Sequence, residues 1–177
     1  MKSLYESILS STGSGKAGIE EFVKSLLAGK AVDSDFAKRL QKLNKVYKCN
    51  SANELQRIMY KFSGLVGWNC SLNWVDVKGI KDLSRLFKNS AFNGDISEWD
   101  VSECECMDYM FHNCYFTGDN GNIDKWDVSK VKSAKGMFTR CSFNKDISKW
   151  NFKSLKNYSG MFGASFLDYE NRPKLPK

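Results

Sequence analysis

FNGDISEWDVSECECMDYMFHNC, Phe92 to Cys114, is the clearest copy of a motif that fills the second half of the chain. The motif returns with a short insertion from Phe116 to Cys141, and again from Phe143, where FNKDISKWNF leads on to Met161-Phe162. Trp99, Trp126 and Trp150 each stand eleven residues ahead of a Met-Phe pair, Met110-Phe111, Met137-Phe138 and Met161-Phe162. Ile96, Ile123 and Ile147 each stand three residues ahead of the Trp. A degraded earlier copy has Leu72 for the Ile, Trp74 or Val75 for the Trp, and Leu86-Phe87 for the Met-Phe pair. Four units therefore fit between about Leu72 and Phe166. Self-similarity at this period marks a repeat protein whose units bury their apolar faces against one another.

Each unit divides in two. Asp95 to Val101 mixes β-branched, aromatic and polar residues and reads as a short strand. Cys104, Met107, Met110, Phe111 and Cys114 then fall three or four apart, the spacing of one apolar stripe on a short α- or 3₁₀-helix. Ser102, Ser129 and Ser154 are its candidate caps. The fold expected from these units is an α/β solenoid of about four short, leucine-rich-repeat-like coils, each a strand plus a short helix, with an N-terminal helical cap. The GDNGNI stretch of the second unit takes the insertion into a turn.

Three readings compete for the repeated residues. The tryptophans form an internal ladder, one per unit, in preference to a platform for nucleic-acid bases. The recurring aspartates, Asp95, Asp119 and Asp146 with Asp100 and Asp127, bind backbone N–H groups at turns, and nothing matches the dense oxygen set of a calcium loop. Cys114 and Cys141 share a position that Ser90 holds in the first unit and Ala164 in the last, so that position wants a small side chain and a reduced, buried thiol. Cys104-Glu-Cys106 is too close for an ordinary metal knuckle or redox pair, and His112 is the chain's lone histidine. No metal and no cofactor is expected.

The phrases FNGDISEWDVS, YMFHNC, KWDVSKV, GMFTRCSFNKDISKWNF and SGMF resemble the BspA-like bacterial leucine-rich repeat family, which includes mycoplasma lipoproteins and gut bacterial and phage proteins. The resemblance covers about Leu72 to Phe166. It departs at Cys104 and Cys106, and in the first unit, where Leu83 and Leu86 replace methionines. It implies a binding or surface module and no one ligand. The opening MKSLYESIL also resembles the start of many gut bacterial and phage proteins.

The 177 residues suit one domain plus an appendage. The expected organisation is a helical arm over 1–48, a helical cap over 49–71, the repeats over 72–166 and a tail over 167–177. In the arm and cap, helical faces are read at Leu4, Tyr5, Ile8 and Leu9; at Ile19, Phe22, Val23, Leu26 and Leu27; and at Phe36, Leu40, Leu43 and Tyr47. The strongest follows a capping box at Ser51 to Glu54, with Leu55, Ile58, Met59 and Phe62 on one side and Gly64 and Gly67 ending it. Ser11 to Ala17 reads as a linker and not as a phosphate loop, because Ala17 replaces the needed hydroxyl.

There is no apolar run long enough for a membrane span and no export signal, so the expected location is the bacterial cytoplasm or a phage particle. The net charge is +7 and unevenly spread. Phe92 to Asp124 carries eight acids and no Lys or Arg, whereas Lys125 to Lys156 carries nine Lys or Arg and two Asp. Such a division suits a charged protein partner.

The function expected is therefore a non-enzymatic protein-interaction module that binds a host or particle protein through its strand face. The partner-binding candidates are Glu98, Asp100 and Ser102, then Lys125, Asp127 and Ser129, then Lys149, Asn151 and Lys153. Two alternatives stand beside it. One is a phage virion or surface attachment component, against which an intracellular inhibitor of a host protein competes. The other is nucleic-acid binding through Lys130, Lys132, Lys135, Arg140, Lys145, Lys149 and Lys153. No catalytic residues and no small-molecule substrate are expected.

Overall fold

The computed structural model describes residues 15–176. Leu4, Tyr5, Ile8 and Leu9, and Ser11 to Ser14 of the expected linker, lie outside them. Gly15, Lys16 and Ala17 of that linker instead open helix α1, Gly15–Ala28.

Helix α1 buries Ile19, Phe22, Val23 and Leu26 along one face. It ends in a left-handed Gly29, φ +74°, where the Gly29 N–H donates to Leu26 O and the Lys30 N–H to Ser25 O, the paired closure that glycine makes cheap. Helix α2, Ser34–Leu40, starts where the Asp33 carboxylate accepts the N–H groups of Asp35 and Phe36. The Phe36-Leu40-Leu43-Tyr47 spacing does not make one helix. The chain turns after Leu40, Lys45 is left-handed, and Tyr47 belongs to strand β1, Tyr47–Lys48. Helix α3, Ala52–Val66, starts at Ser51, whose hydroxyl accepts the Glu54 N–H at 3.2 Å. The Glu54 carboxylate reaches past the cap to the Asn50 N–H, 3.0 Å, and to the Tyr47 hydroxyl, 2.6 Å. Gly64 sits inside this helix, and Gly67, φ +101°, ends it. Phe22 ties the three helices together, edge-on to Phe36 at 5.1 Å and to Phe62 at 6.5 Å. Phe62 in turn lies 4.9 Å from Trp74, which joins the helices to the repeats.

The expected α/β solenoid of leucine-rich-repeat-like coils is not what forms. Among the described residues the three α-helices all precede Gly67. The only sheet among these residues is an open parallel pair, β1 with β2, Val75–Asp76. The repeated segment has neither a helix nor a strand per unit. Its backbone runs through successive tight turns, and its units meet at isolated parallel bridges, Ser71 with Asp95, then Asp82, Cys106, Ser133 and Asn157 in a chain.

The reason lies in where the backbone N–H groups go. A helix would return each to the carbonyl four residues back. Here alternate residues donate to the next unit instead: Met107 to Ser133, Tyr109 to Lys135, Phe111 to Met137 and Asn113 to Thr139, all at 2.8–2.9 Å. Met110 and His112, between them, close four-residue turns on Met107 and Tyr109. Two positions per unit are left-handed, which forbids a helix: Arg85, Tyr109, Gly136 and Gly160 form one column, and Asn89, Asn113, Arg140 and Ala164 the other. Because consecutive turns also return to one side every three residues, Cys104, Met107, Met110 and Phe111 reach the interior as a helix stripe would.

Stacked rings fill that interior. Phe87, Phe111, Phe138 and Phe162 follow one another at 5.3–6.1 Å, and Phe116 lies flat on Phe143 at 5.6 Å. Trp99, Trp126 and Trp150 stack at 6.4 and 6.3 Å with their planes 6° apart. Each indole N–H donates to a carbonyl one unit back, that of Leu72, Ile96 or Ile123. The tryptophans are thus an internal ladder. Val75, whose N–H closes on Leu72 as the Trp99 N–H closes on Ile96, is the ladder position of the first unit, and Trp74 points to the helices.

The cysteine column also needs one correction. The last residue in it is Ser165, not Ala164, because Ser165 turns onto Leu167 as Ser90 turns onto Phe92. All six cysteines are free, and all but Cys106 are buried. Burial pushes the thiols of Cys49, Cys104, Cys114 and Cys141 up to about 12, and that of Cys70 upward as well. Iodoacetamide at pH about 8 is therefore expected to add to Cys106 alone in the folded chain, and to all six cysteines in denaturant. Mass spectrometry reads the count, and fast native labelling of Cys114 or Cys141 would contradict the buried column.

Candidate interaction surface

A residue at a fixed distance from the Trp or from the Met-Phe pair lies in a column running along the stack. Two groups of columns reach the surface. One flanks the Trp ladder, and the other flanks the Met-Phe turns.

The expected partner-binding residues flank the Trp ladder. The structure brings them together, on a turn corner and not on the strand face expected for them, since no strand forms there. Glu98, Lys125 and Lys149 make one exposed column, and Asp100, Asp127 and Asn151 the next. Ser102, Ser129 and Lys153 complete the corner. Four of these nine residues hold the turn itself. The Asp100 carboxylate accepts the Ser102 N–H at 3.1 Å and its hydroxyl at 2.6 Å, and Asp127 accepts the Ser129 N–H at 2.9 Å. Asp76, Asp82, Asp95 and Asp146 take the N–H two residues on in the same way. Near the C-terminus, Ser148, Asn151, Lys153 and Lys174 line a shallow cleft of about 450 Å³.

The acidic and basic units are neighbours, and much of their charge is consumed between them. Lys130 pairs with Glu103 at 2.6 Å, Lys132 with Glu105, Lys145 with Asp119 and Lys78 with Asp100 at 3.2 Å. These pairs lie at the surface, where water and salt screen them, and they add little to stability. Their larger effect is to cancel the field expected of the acidic unit. Three of the seven residues that make up the nucleic-acid alternative, Lys130, Lys132 and Lys145, are held this way.

These contacts lower several carboxyl pKa values. The Ser102 hydroxyl, outweighing burial and aided by Lys78, brings Asp100 down to about 2. Ser129 lowers Asp127, Ser148 lowers Asp146, Lys145 lowers Asp119 and Lys132 lowers Glu105. A carboxyl whose folded pKa is depressed stabilises the fold above its unfolded value and loses that contribution as pH falls through the folded one. The carboxyl contribution to the melting temperature is therefore expected to be level from pH about 5 to about 8 and to fall between about 4 and 2, while the buried thiols, which ionise first in the unfolded chain, should lower it above about 9. Asp100→Asn should flatten that fall. A melting temperature independent of pH in this range would contradict the turn assignments.

The second surface was missed in the sequence. Around the Met-Phe turns, Tyr109 stands amid cations from the two flanking units: Lys88 at 5.4 Å, Lys135 at 5.9 Å and Arg85 at 6.0 Å from its ring centre. His112 meets the Tyr109 edge at 5.6 Å. Burial, with Lys88 and Arg140 beside it, lowers the His112 pKa. Arg85, Lys88, Lys135 and Arg140 make no ion pair among the described residues. The nearby Asp108 faces the Ser133 hydroxyl and the Lys135 N–H. Next to this cluster runs the column Ala91, Tyr115, Ser142 and Phe166, linked by the N–H groups of Tyr115, Ser142 and Phe166 to the preceding unit. Tyr115 is 70% exposed and Phe166 71%. The signal for it was in the sequence, at constant offsets from Met-Phe, but a helix assignment there distributes those residues wrongly around an axis.

Residues 38–171 match the family described as Mycoplasma protein of unknown function, DUF285. The chain belongs to this family. The DUF285 match takes in α3 and every turn unit but not α1, so the repeats and the helix packed on them are family features. It corrects the expected membership of a BspA-like leucine-rich repeat family, and the reading of a phage or virion protein lapses with it. No curated protein and no solved structure matches the chain. Among the described residues no three His, Cys, Asp or Glu gather as metal ligands. No described helix is long and apolar enough to cross a membrane.

Proposed function

We propose that this DUF285 protein is a non-enzymatic module that binds another protein through its outer turn columns. The observation that carries this reading is the set of large aromatic side chains left outside the core, Tyr115, Phe166 and the 85%-exposed Tyr169, on a framework whose Phe and Trp ladders are stacked inside. The inter-unit hydrogen bonds and ring ladders hold the columns at fixed spacing, so a partner meets a preformed surface and little ordering entropy opposes binding. Aromatic side chains with cations beside them are the groups that carry most interface energy when a partner covers them.

Affinity capture from a lysate of the cells that make the protein tests the reading. The bait is the wild type, beside two variants, Tyr115→Ser with Phe166→Ser and Lys125→Glu with Lys149→Glu. One protein enriched by the wild type, lost with one variant and bound again by the purified wild type supports the proposal. A retained set identical for all three baits, or nucleic acid as the sole retained species, overturns it.

A further inference from the structure

Four cations converge on one face of the stack. Arg85, Lys88 and Lys135 surround the Tyr109 ring and Arg140 stands by the adjoining His112, and none of the four makes an ion pair among the described residues. Each comes from a turn next to a Met-Phe pair or its Leu86-Phe87 equivalent, so together they span three consecutive units. The following unit offers Gly160, Gly163 and Ala164 at the corresponding positions and ends the patch. Beside it, Asn113, Cys114, Tyr115, Arg140 and Ser142 surround a recess of about 240 Å³.

We infer that this surface docks a short acidic segment of a partner protein, whose carboxylates sit on Arg85, Lys88, Lys135 and Arg140 and whose apolar side chain enters the recess beside Tyr115. The inference rests on the interaction reading above and adds the face and the chemistry of the partner.

Charge complementarity and size select the occupant. Neighbouring units are about one stacked-ring spacing apart, 5.3 Å from Phe87 to Phe111 and 5.5 Å from Phe111 to Phe138. Three units thus cover the length of three or four extended residues, at roughly 3.3 Å each. Two arginines among the four cations suit planar, bidentate pairing with carboxylates. The recess adjoins the cations, so one segment of alternating acidic and apolar character can use both. A nucleic acid is a poorer fit. The Tyr109 ring already has three cations around it, and the tryptophans of the ladder are buried and cannot stack on bases.

Fluorescence anisotropy with the full chain tests this. The probes are a fluorescein-labelled peptide Asp-Glu-Leu-Glu-Glu, the same peptide with Ser for Leu, and fluorescein-labelled oligothymidylate of equal charge. Lys88→Glu with Arg140→Glu is compared with Lys125→Glu and Lys149→Glu, which changes net charge equally at the Trp corner. Near-UV circular dichroism checks that both remain folded, and Tyr115→Ser is a third variant that leaves the charges alone. The expected result is saturable binding of the acidic peptide, weakened about tenfold or more by the first variant and less than about twofold by the second. The serine peptide and the Tyr115→Ser variant should each lose about threefold to tenfold, the value of one apolar side chain. Equal losses in the two charge variants, absence of saturable binding, or tighter binding of oligothymidylate would overturn the inference. Loss confined to the Lys125 and Lys149 variant would also overturn it, while leaving the interaction reading standing at the Trp corner.

Discussion

Phe111→Ala is expected to destabilise the protein by about 3–5 kcal/mol, enough to unfold much of it at moderate temperature. Phe111 is fully buried and stands at the crossing of the ladders, 5.3 Å from Phe87, 4.9 Å from Phe116, 5.5 Å from Phe138 and 6.4 Å from Trp126. Its removal leaves a gap that these rings fill poorly, because the backbone on either side is bonded unit to unit. The Phe111 N–H donates to Met137 O, so the layers cannot slide together without breaking that column. Urea unfolding read by tryptophan fluorescence measures the change. Trp126→Phe is the graded comparison. It keeps a ring in the stack but removes the N–H that reaches Ile96 O, and should cost about 1–2 kcal/mol. A Phe111→Ala loss below about 1 kcal/mol would mean that the ladders are not tightly packed.

The second large effect comes from one small substitution made at two places. A Cβ on Gly94 would lie 1.8 Å from Cys70 O and 2.8 Å from the Phe92 ring. Cys70 O accepts the Asp95 N–H, and Phe92 is fully buried, so neither neighbour can withdraw freely. Gly94→Ala is expected to cost about 3 kcal/mol. Gly64, within α3, has nothing within 4 Å of the corresponding point. Gly64→Ala is expected to stabilise by about 0.5–1 kcal/mol, by restricting the unfolded chain and favouring the helix. The pair is read by thermal melting of both variants beside the wild type. The same sign for both would contradict the close approach of Gly94 to the first unit.

The sequence by itself determined the repeat, its period, its four copies and its interior. The recurrence of Trp, Met-Phe and closing Phe requires stacked rings, since rings at one spacing in every unit have only their counterparts to pack on. It also determined the start of α3 at Ser51, and the turn role of Asp95, Asp100, Asp127 and Asp146, because both are set by residues a few positions apart; the Asp119 carboxylate instead takes the Thr117 hydroxyl and Lys145. It put the Trp-corner candidates in register, for the same reason that it put the tryptophans in register. Only the tertiary structure decided the backbone between those points. Apolar residues three apart satisfy a helix and a run of turns equally. The turns form because alternate N–H groups find carbonyls in the next unit, a partnership that no single unit contains. The reading of strands at Asp95–Val101 failed on the same account, as single bridges and not ladders connect the units there. Which charges remain free was decided there too. Glu103, Glu105 and Asp119 meet Lys130, Lys132 and Lys145, which follow them by 26 or 27 residues in the chain, only when the units stack. Arg85, Lys88 and Lys135 gather around Tyr109 by that stacking, with Arg140 beside the adjoining His112, and no carboxylate among the described residues pairs with them.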